Sequence, residues 1–160
     1  MLKTIKSLPK KQRTKLTLFG MSQGTILACM VASTLPQVDK LILNLSGSDL
    51  AEITWSWDNV IPGFKDTLRE QNITLPKLKK AWLPLSPYHN LKKVTVNNIL
   101  IYLSAQDELI PFNSQQELLQ SLQKKRIYIE AIINERHGHM VSGAINLLRF
   151  PVYINFLRRK

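Results

Sequence analysis

One serine in this chain of 160 residues stands in a setting suited to nucleophilic chemistry: Gly20-Met21-Ser22-Gln23-Gly24. It falls between an apolar run, Lys15 to Phe19 (KLTLF), and an apolar segment that opens at Gln23 or Gly24. A serine on a tight turn from strand into helix takes strained backbone angles, and its hydroxyl stands clear of the sheet edge. Glycines two before and two after it are expected, because a side chain at either place would collide across the turn. The start of the next helix favours negative charge close by, and the Gln23 N–H is placed to donate to a developing oxyanion. A serine alcohol reacts poorly until a base takes its proton and a carboxylate holds that base in one tautomer. Of three histidines, His89 lies among Pro87 and Tyr88 and reads as a surface or packing residue. His137 and His139 flank Gly138 directly after the last predicted strand, where a loop at the sheet's carboxyl edge hangs over the serine, so both are candidate bases. Asp107, just beyond the third predicted strand, is the candidate acid. Its neighbour Glu108 reads as solvated, since adjacent loop residues point different ways, and Asp39, Asp49 and Asp58 suit turns and caps.

The elements that must position these residues follow from period and punctuation. Lys15–Phe19, Lys40–Leu45, Asn98–Ser104 and Arg126–Ile133 read as buried strands, rich in Leu, Ile and Tyr without strict alternation, as a parallel sheet covered on both faces requires. Helical patterns occupy 23–33, 113–125 and 142–159, with Pro151 ending or kinking the last of them. The order β-α-β-α-β-α predicts an α/β fold. Between the second and third strands, residues 46–97 carry Pro62, Gly63, Pro76, Pro84 and Pro87 among Trp55, Trp57, Phe64, Trp82 and Tyr88. That stretch is too long and too apolar for a bare loop, and it reads as a helical cap inserted into a single domain spanning 1–160. Trp55, Trp57 and Trp82 are expected to line an acyl or leaving-group pocket.

Composition bounds the remaining classes. With 44% hydrophobic and 21% charged residues, the chain has the makings of a packed core. Its longest apolar run, Ile26 to Ala32, is far short of the ~20 residues a membrane crossing needs. A single cysteine, Cys29, forms no internal disulfide and supplies no metal-binding pair, which suits the cytoplasm. Twenty-two Lys and Arg against 11 Asp and Glu give a formal charge of +11, an invitation to phosphate. The basic residues form short clusters between apolar segments, however, and no helix-turn-helix or aromatic-interleaved basic segment accompanies them, so no specific nucleic-acid partner is expected. Nothing in the pattern implies a cofactor or a metal.

With Ser22, Asp107 and His139 in that order, the chain resembles the α/β-hydrolase family, whose serine esterases, lipases and aminopeptidases carry G-x-S-x-G and the order Ser, Asp, His. Gly138-His139 matches the family's histidine loop better than His137, Asp107 to Pro111 resembles its acid loop, and Ser86-Pro87 its lead-in to the third strand. The resemblance runs from about Lys15 to the C-terminus. It implies a serine hydrolase cleaving a carboxylic ester, less readily an amide, through an acyl-enzyme: Ser22 the nucleophile, His139 the base, Asp107 the orienting acid, Gln23 an oxyanion donor.

The front of the chain departs from that pattern. Family members have several strands before the nucleophile, and an early loop supplies a second oxyanion N–H; here 14 residues precede the KLTLF strand, enough for one short basic helix with Leu2, Ile5 and Leu8 on its apolar face. The expectation is a partial α/β-hydrolase of about four mainly parallel strands whose first strand is an open edge. Such an edge invites a second copy of the chain or a separately encoded front half. The alternative function is accordingly that of a catalytically impaired remnant acting as an interaction module, and a missing oxyanion donor would cost about 10²–10³ in rate.

Overall fold

The computed structural model describes residues 15–159; the basic helix expected at the N-terminus lies outside them. Four strands, β1 (Leu16–Met21), β2 (Val38–Asn44), β3 (Asn98–Ser104) and β4 (Tyr128–Asn134), form one sheet in the order β1-β2-β3-β4, every pair parallel. Helix α1 (Gly24–Thr34) links β1 to β2, α6 (Phe112–Gln123) links β3 to β4, and α7 (His139–Leu147) with α8 (Phe150–Arg158) follows β4. Between β2 and β3 lie α2 (Leu50–Ser56), α3 (Phe64–Glu70), α4 (Leu75–Trp82) and α5 (Pro87–Leu91), with 3-10 turns at Trp57–Asn59 and Leu83–Leu85.

The central strands are apolar on both sides because both faces of the sheet are covered. Side chains alternate along a strand. Leu41, Leu43, Ile99, Ile101 and Leu103 therefore meet Ala28, Cys29 and Val31 of α1 and Leu118 and Leu122 of α6 on one face. Ile42, Leu100 and Tyr102 point the other way, onto Val152, Tyr153 and Phe156 of α8. Each such side chain removed from water contributes about 1.5–3 kcal/mol. Not all of the inserted segment caps the sheet: Leu91 of α5 joins the main core beside α1, so its last helix is part of the domain's body.

The C-terminal helices differ from the sequence reading for a clear reason. The last helical stretch starts three residues early, at His139, and breaks at Leu148–Arg149, with Pro151 inside the first turn of α8. Proline suits that position because its missing N–H has no acceptor to lose there. Lys40 is a charged residue in an apolar strand. It is buried, and its ammonium group donates to the carbonyls of Phe156 (3.1 Å), Leu157 (2.6 Å) and Arg159 at the C-terminus of α8, where a helix leaves its last carbonyls unpaired and its dipole negative. Among the described residues no single helix is long and apolar enough to cross a membrane.

Burial of Cys29 in α1 pushes its thiol from the ordinary 9.0 up to about 12. A thiol ionised in the unfolded chain but not in the folded one makes stability fall as pH climbs from about 9 toward 12. Cys29 should therefore resist a disulfide reagent at pH 8 until denaturant opens the domain. Denaturant titrations above pH 9 should lose stability less steeply in Cys29→Ala than in the parent.

Candidate active site

The turn from β1 into α1 carries Ser22 at φ 51°, one of three non-glycine residues with positive φ among those described. Hydrogen bonds hold it there. The Ser22 N–H donates to Asn44 O at the end of β2 (2.9 Å), and the Ser22 carbonyl accepts from Thr25 N–H (3.0 Å) and Thr25 Oγ1 (2.6 Å). The flanking glycines differ in kind. A Cβ on Gly20 would stand 2.6 Å from Gly24 O and 2.7 Å from Thr25 Cα, both backbone, whereas a Cβ on Gly24 meets nothing within 4 Å. The collision expected at Gly24 is thus absent, because that position already belongs to α1 and its Cβ would project outward. Gly20→Ala should cost about 1–3 kcal/mol or fail to fold, and Gly24→Ala should be neutral or slightly stabilising; thermal melts of the two variants separate these outcomes.

Ser22, His139 and Asp107 come together. His139 Nε2 lies 2.9 Å from Ser22 Oγ, and His139 Nδ1 lies 2.8 Å from Asp107 Oδ2 and 3.0 Å from Oδ1. His139 is 4% exposed and Asp107 9%, so water competes little for their bond, while Ser22 is only half-buried and reachable. With a proton on Nδ1 held by the carboxylate, Nε2 is bare and faces the serine hydroxyl. Gln23 opens α1 as its N-cap residue, and its N–H belongs to the positive end of that helix.

The structure separates His139 from the other candidates. The His137 ring turns away to Asn134, with Nδ1 3.1 Å from Oδ1, and half-buried His89 lies beside Lys93. Asp49 caps α2 through Ala51 N–H and Glu52 N–H, Asp58 accepts the Lys65 N–H, and Asp39 accepts from Asn97. Glu108 is not merely solvated: although the residue is exposed, its Oε2 accepts the His139 N–H at 2.9 Å.

Four polar residues that hold the site, Gln115, Asn44, Ser104 and Ser142, carry no motif in the sequence. Gln115 on α6 is fully buried; its Oε1 accepts the Ser104 N–H (3.0 Å), and its Nε2 lies 2.8 Å from Ile110 O and 3.2 Å from Asp107 Oδ2. Asp107 Oδ1 also accepts the N–H groups of Leu109 (2.9 Å) and Ile110 (2.8 Å), so its carboxylate is fixed on every side. Asn44 joins the nucleophile turn to the histidine helix. Its carbonyl holds Ser22 N–H, while its side chain donates to Gly143 O (3.2 Å) and accepts from Asn146 (2.8 Å). Finally, the hydroxyls of Ser104 and Ser142 converge on the His137 carbonyl at 2.6 and 2.9 Å, tying down the loop before His139. A polar residue at the carboxyl end of an apolar strand, as Asn44 and Ser104 are, was the available signal.

A cleft of about 920 Å³ opens beside Ser22. Ile26, Leu50, Ile53, Trp57, Trp82 and Ile110 are among its walls, and no lining residue is charged. Trp57 also donates its indole N–H to Leu109 O at 3.0 Å, which fastens the inserted segment to the acid loop. Trp55, expected in the same wall, is not part of it.

Among the described residues no group of three His, Cys, Asp or Glu side chains is placed to hold a metal ion. No curated protein matches the sequence significantly. Solved structures do resemble the fold. A puromycin-hydrolysing peptidase of Mycobacterium tuberculosis superposes with a TM-score of 0.73 at 14% identity, over 99% of this chain and 25% of that one. An acylaminoacyl peptidase of Pyrococcus horikoshii gives 0.68 at 16% identity, over 99% and 26%, and an esterase of Pyrococcus furiosus 0.67 at 12%, over 99% and 58%. The chain thus spans between a quarter and three fifths of the length of these relatives, and its sheet is part of an α/β-hydrolase fold. The model of the prolyl oligopeptidase family matches residues 3–155, and this chain belongs to that family of α/β-hydrolases.

Proposed function

We propose that the chain carries the reacting centre of a serine hydrolase that cleaves carboxylic esters through an acyl-enzyme. The observation behind this reading is the continuous hydrogen-bonded line Ser22–His139–Asp107, with the serine at the foot of an open cleft. In the proposed reaction Ser22 Oγ attacks the ester carbonyl while its proton passes to His139 Nε2. Asp107 keeps the proton on Nδ1 and offsets the imidazolium charge, and His139 then returns its proton to the leaving alcohol. Water repeats the sequence on the acyl-serine. The Gln23 N–H, at the start of α1, is the proposed donor to the oxyanion.

The uncharged, apolar cleft supports an acyl group that is itself apolar and larger than acetyl, since no lining residue could neutralise a charged substituent. A fluorophosphonate probe should label the folded chain at Ser22 and leave Ser22→Ala untouched. Aryl esters with acyl chains of six to eight carbons should turn over faster than the acetate, and anilides of the same acids more slowly than either. A folded protein that leaves Ser22 unlabelled overturns the reading. The free thiol of Cys29 suits a reducing compartment, which we take to be the cytoplasm.

A second reading, an interaction module with little catalysis, draws support from β1. This strand ends the sheet among the described residues, and Phe19 and Met21 on it are 45% and 40% exposed. An open apolar edge pairs with further strands, from another copy or from a separately encoded segment. Sedimentation of the 160-residue chain distinguishes the two: a monomer at high concentration removes this support.

A further inference from the structure

Glu108 sits next to Asp107 in the same loop, and its side chain turns toward the backbone of the very histidine whose ring Asp107 holds. Its Oε2 accepts the His139 N–H at 2.9 Å. Helix α7 begins at His139, and its N-cap residue, Gly138, has no side chain to satisfy the N–H groups that every helix start leaves unpaired. Glu108 supplies that acceptor from 31 residues away along the chain, and a carboxylate is favoured there by the positive end of the helix. Gly138 completes the arrangement. It adopts φ −72° and ψ −175°, which any residue can take, yet a Cβ on it would overlap Glu108 Oε2 and stand 3.2 Å from the carboxyl carbon. A side chain at 138 would cost no conformation; what it would displace is the Glu108 carboxylate, the movable end of an exposed side chain.

We infer that Glu108 is a positioning residue for His139, an inference that rests on the proposed role of His139 as the base. The Ser104 and Ser142 hydroxyls tie down the loop at the His137 carbonyl, two residues before His139, and Asp107 holds the ring at Nδ1, but neither contact fixes the amide of the histidine itself. Gripped at the ring by Asp107 and at the amide by Glu108, it has both ends fixed to one short loop, and Nε2 keeps its 2.9 Å approach to Ser22 Oγ. Misplacing a reacting group by a fraction of an ångström is costly in rate. Gly138 belongs to the device because any larger residue pushes the Glu108 carboxylate off the amide.

The test combines two measurements on the 160-residue chain. In Glu108→Ala, Ser22 should react with a fluorophosphonate about tenfold more slowly. Glu108→Gln keeps a carbonyl acceptor at the same reach and should recover most of the rate, short of the charged bond's full effect. Gly138→Ala should reproduce the loss in the parent and add almost nothing to Glu108→Ala, the non-additivity that marks two residues acting through one contact. In parallel, the His139 amide should exchange with solvent about tenfold faster in Glu108→Ala, while the Ser142 amide, which donates to Gly138 O, keeps its parental protection. An unchanged labelling rate together with unchanged His139 exchange overturns the inference, and so does a rate loss that glutamine fails to recover. Should the parent itself leave Ser22 unlabelled, the hydrolase reading fails by that result, and the exchange comparison still decides whether Glu108 holds His139.

Discussion

Ser22→Gly should abolish ester turnover, a loss of about 10⁶ in kcat, and at the same time leave the protein more stable than Ser22→Ala by about 1 kcal/mol. The two variants remove the same hydroxyl and differ in their tolerance of φ 51°. An L-residue in the left-handed region sets its Cβ against the neighbouring carbonyl, while glycine has no such contact. Nothing nearby lets the backbone relax. The Ser22 N–H is held by Asn44 O, its carbonyl by Thr25, and Gly20 leaves no space beneath the turn. Strain at this residue is therefore built into the scaffold and borne for the position it gives the hydroxyl, 2.9 Å from His139 Nε2. For a domain of this size the difference corresponds to about 2–4 °C in Tm. Equal melting temperatures for the alanine and glycine variants would show that the turn is not strained. Turnover in either that stays within about a hundredfold of the parent would show that Ser22 is not the nucleophile.

What the sequence made legible is local. Gly20 to Gly24 announces the turn within five residues, and the KLTLF run before it and the apolar segment after it fix its context. The chain order of Ser22, Asp107 and His139 placed the acid and the base at the carboxyl ends of successive strands, where a parallel sheet gathers its loops. Residues whose partners lie far away in the chain stayed hidden. Gln115, three and seven residues before Leu118 and Leu122, falls on the apolar face of its helix, and its partners Ser104, Asp107 and Ile110 appear only when α6 lies against the end of β3. Neighbours in a loop do diverge, as the sequence reading of Glu108 supposes, but here the two divergent side chains reach two different atoms of one histidine. Trp55 and Trp57 stand two residues apart on a helical stretch and face nearly opposite ways, so a wall that contains Trp57 leaves Trp55 out.

The second large effect concerns Asp107, where exchanging one side-chain oxygen for an NH₂ group should remove most of the rate. Asp107→Asn should lower kcat for an activated ester about 10⁴-fold, with KM little changed. The carboxylate accepts on both oxygens: Leu109 N–H and Ile110 N–H meet Oδ1, and Gln115 Nε2 and His139 Nδ1 meet Oδ2. An asparagine keeps one acceptor and turns the other into a donor. If its NH₂ faces Leu109 and Ile110, two backbone N–H groups are left facing a donor in a buried place, at about 1–3 kcal/mol each. The carboxamide therefore keeps its oxygen toward the loop and points NH₂ at His139. That group cannot accept the Nδ1 proton, so the imidazole moves its proton to Nε2, the atom that must be bare to take the proton of Ser22. The geometry of the site survives and its chemistry does not. A histidine-selective nitrogen NMR spectrum of Asp107→Asn should show the His139 proton on Nε2, and activity should return in part above neutral pH, as hydroxide substitutes for the missing base. An Asp107→Asn protein that keeps parental kcat would show that His139 does not depend on Asp107 for its tautomer.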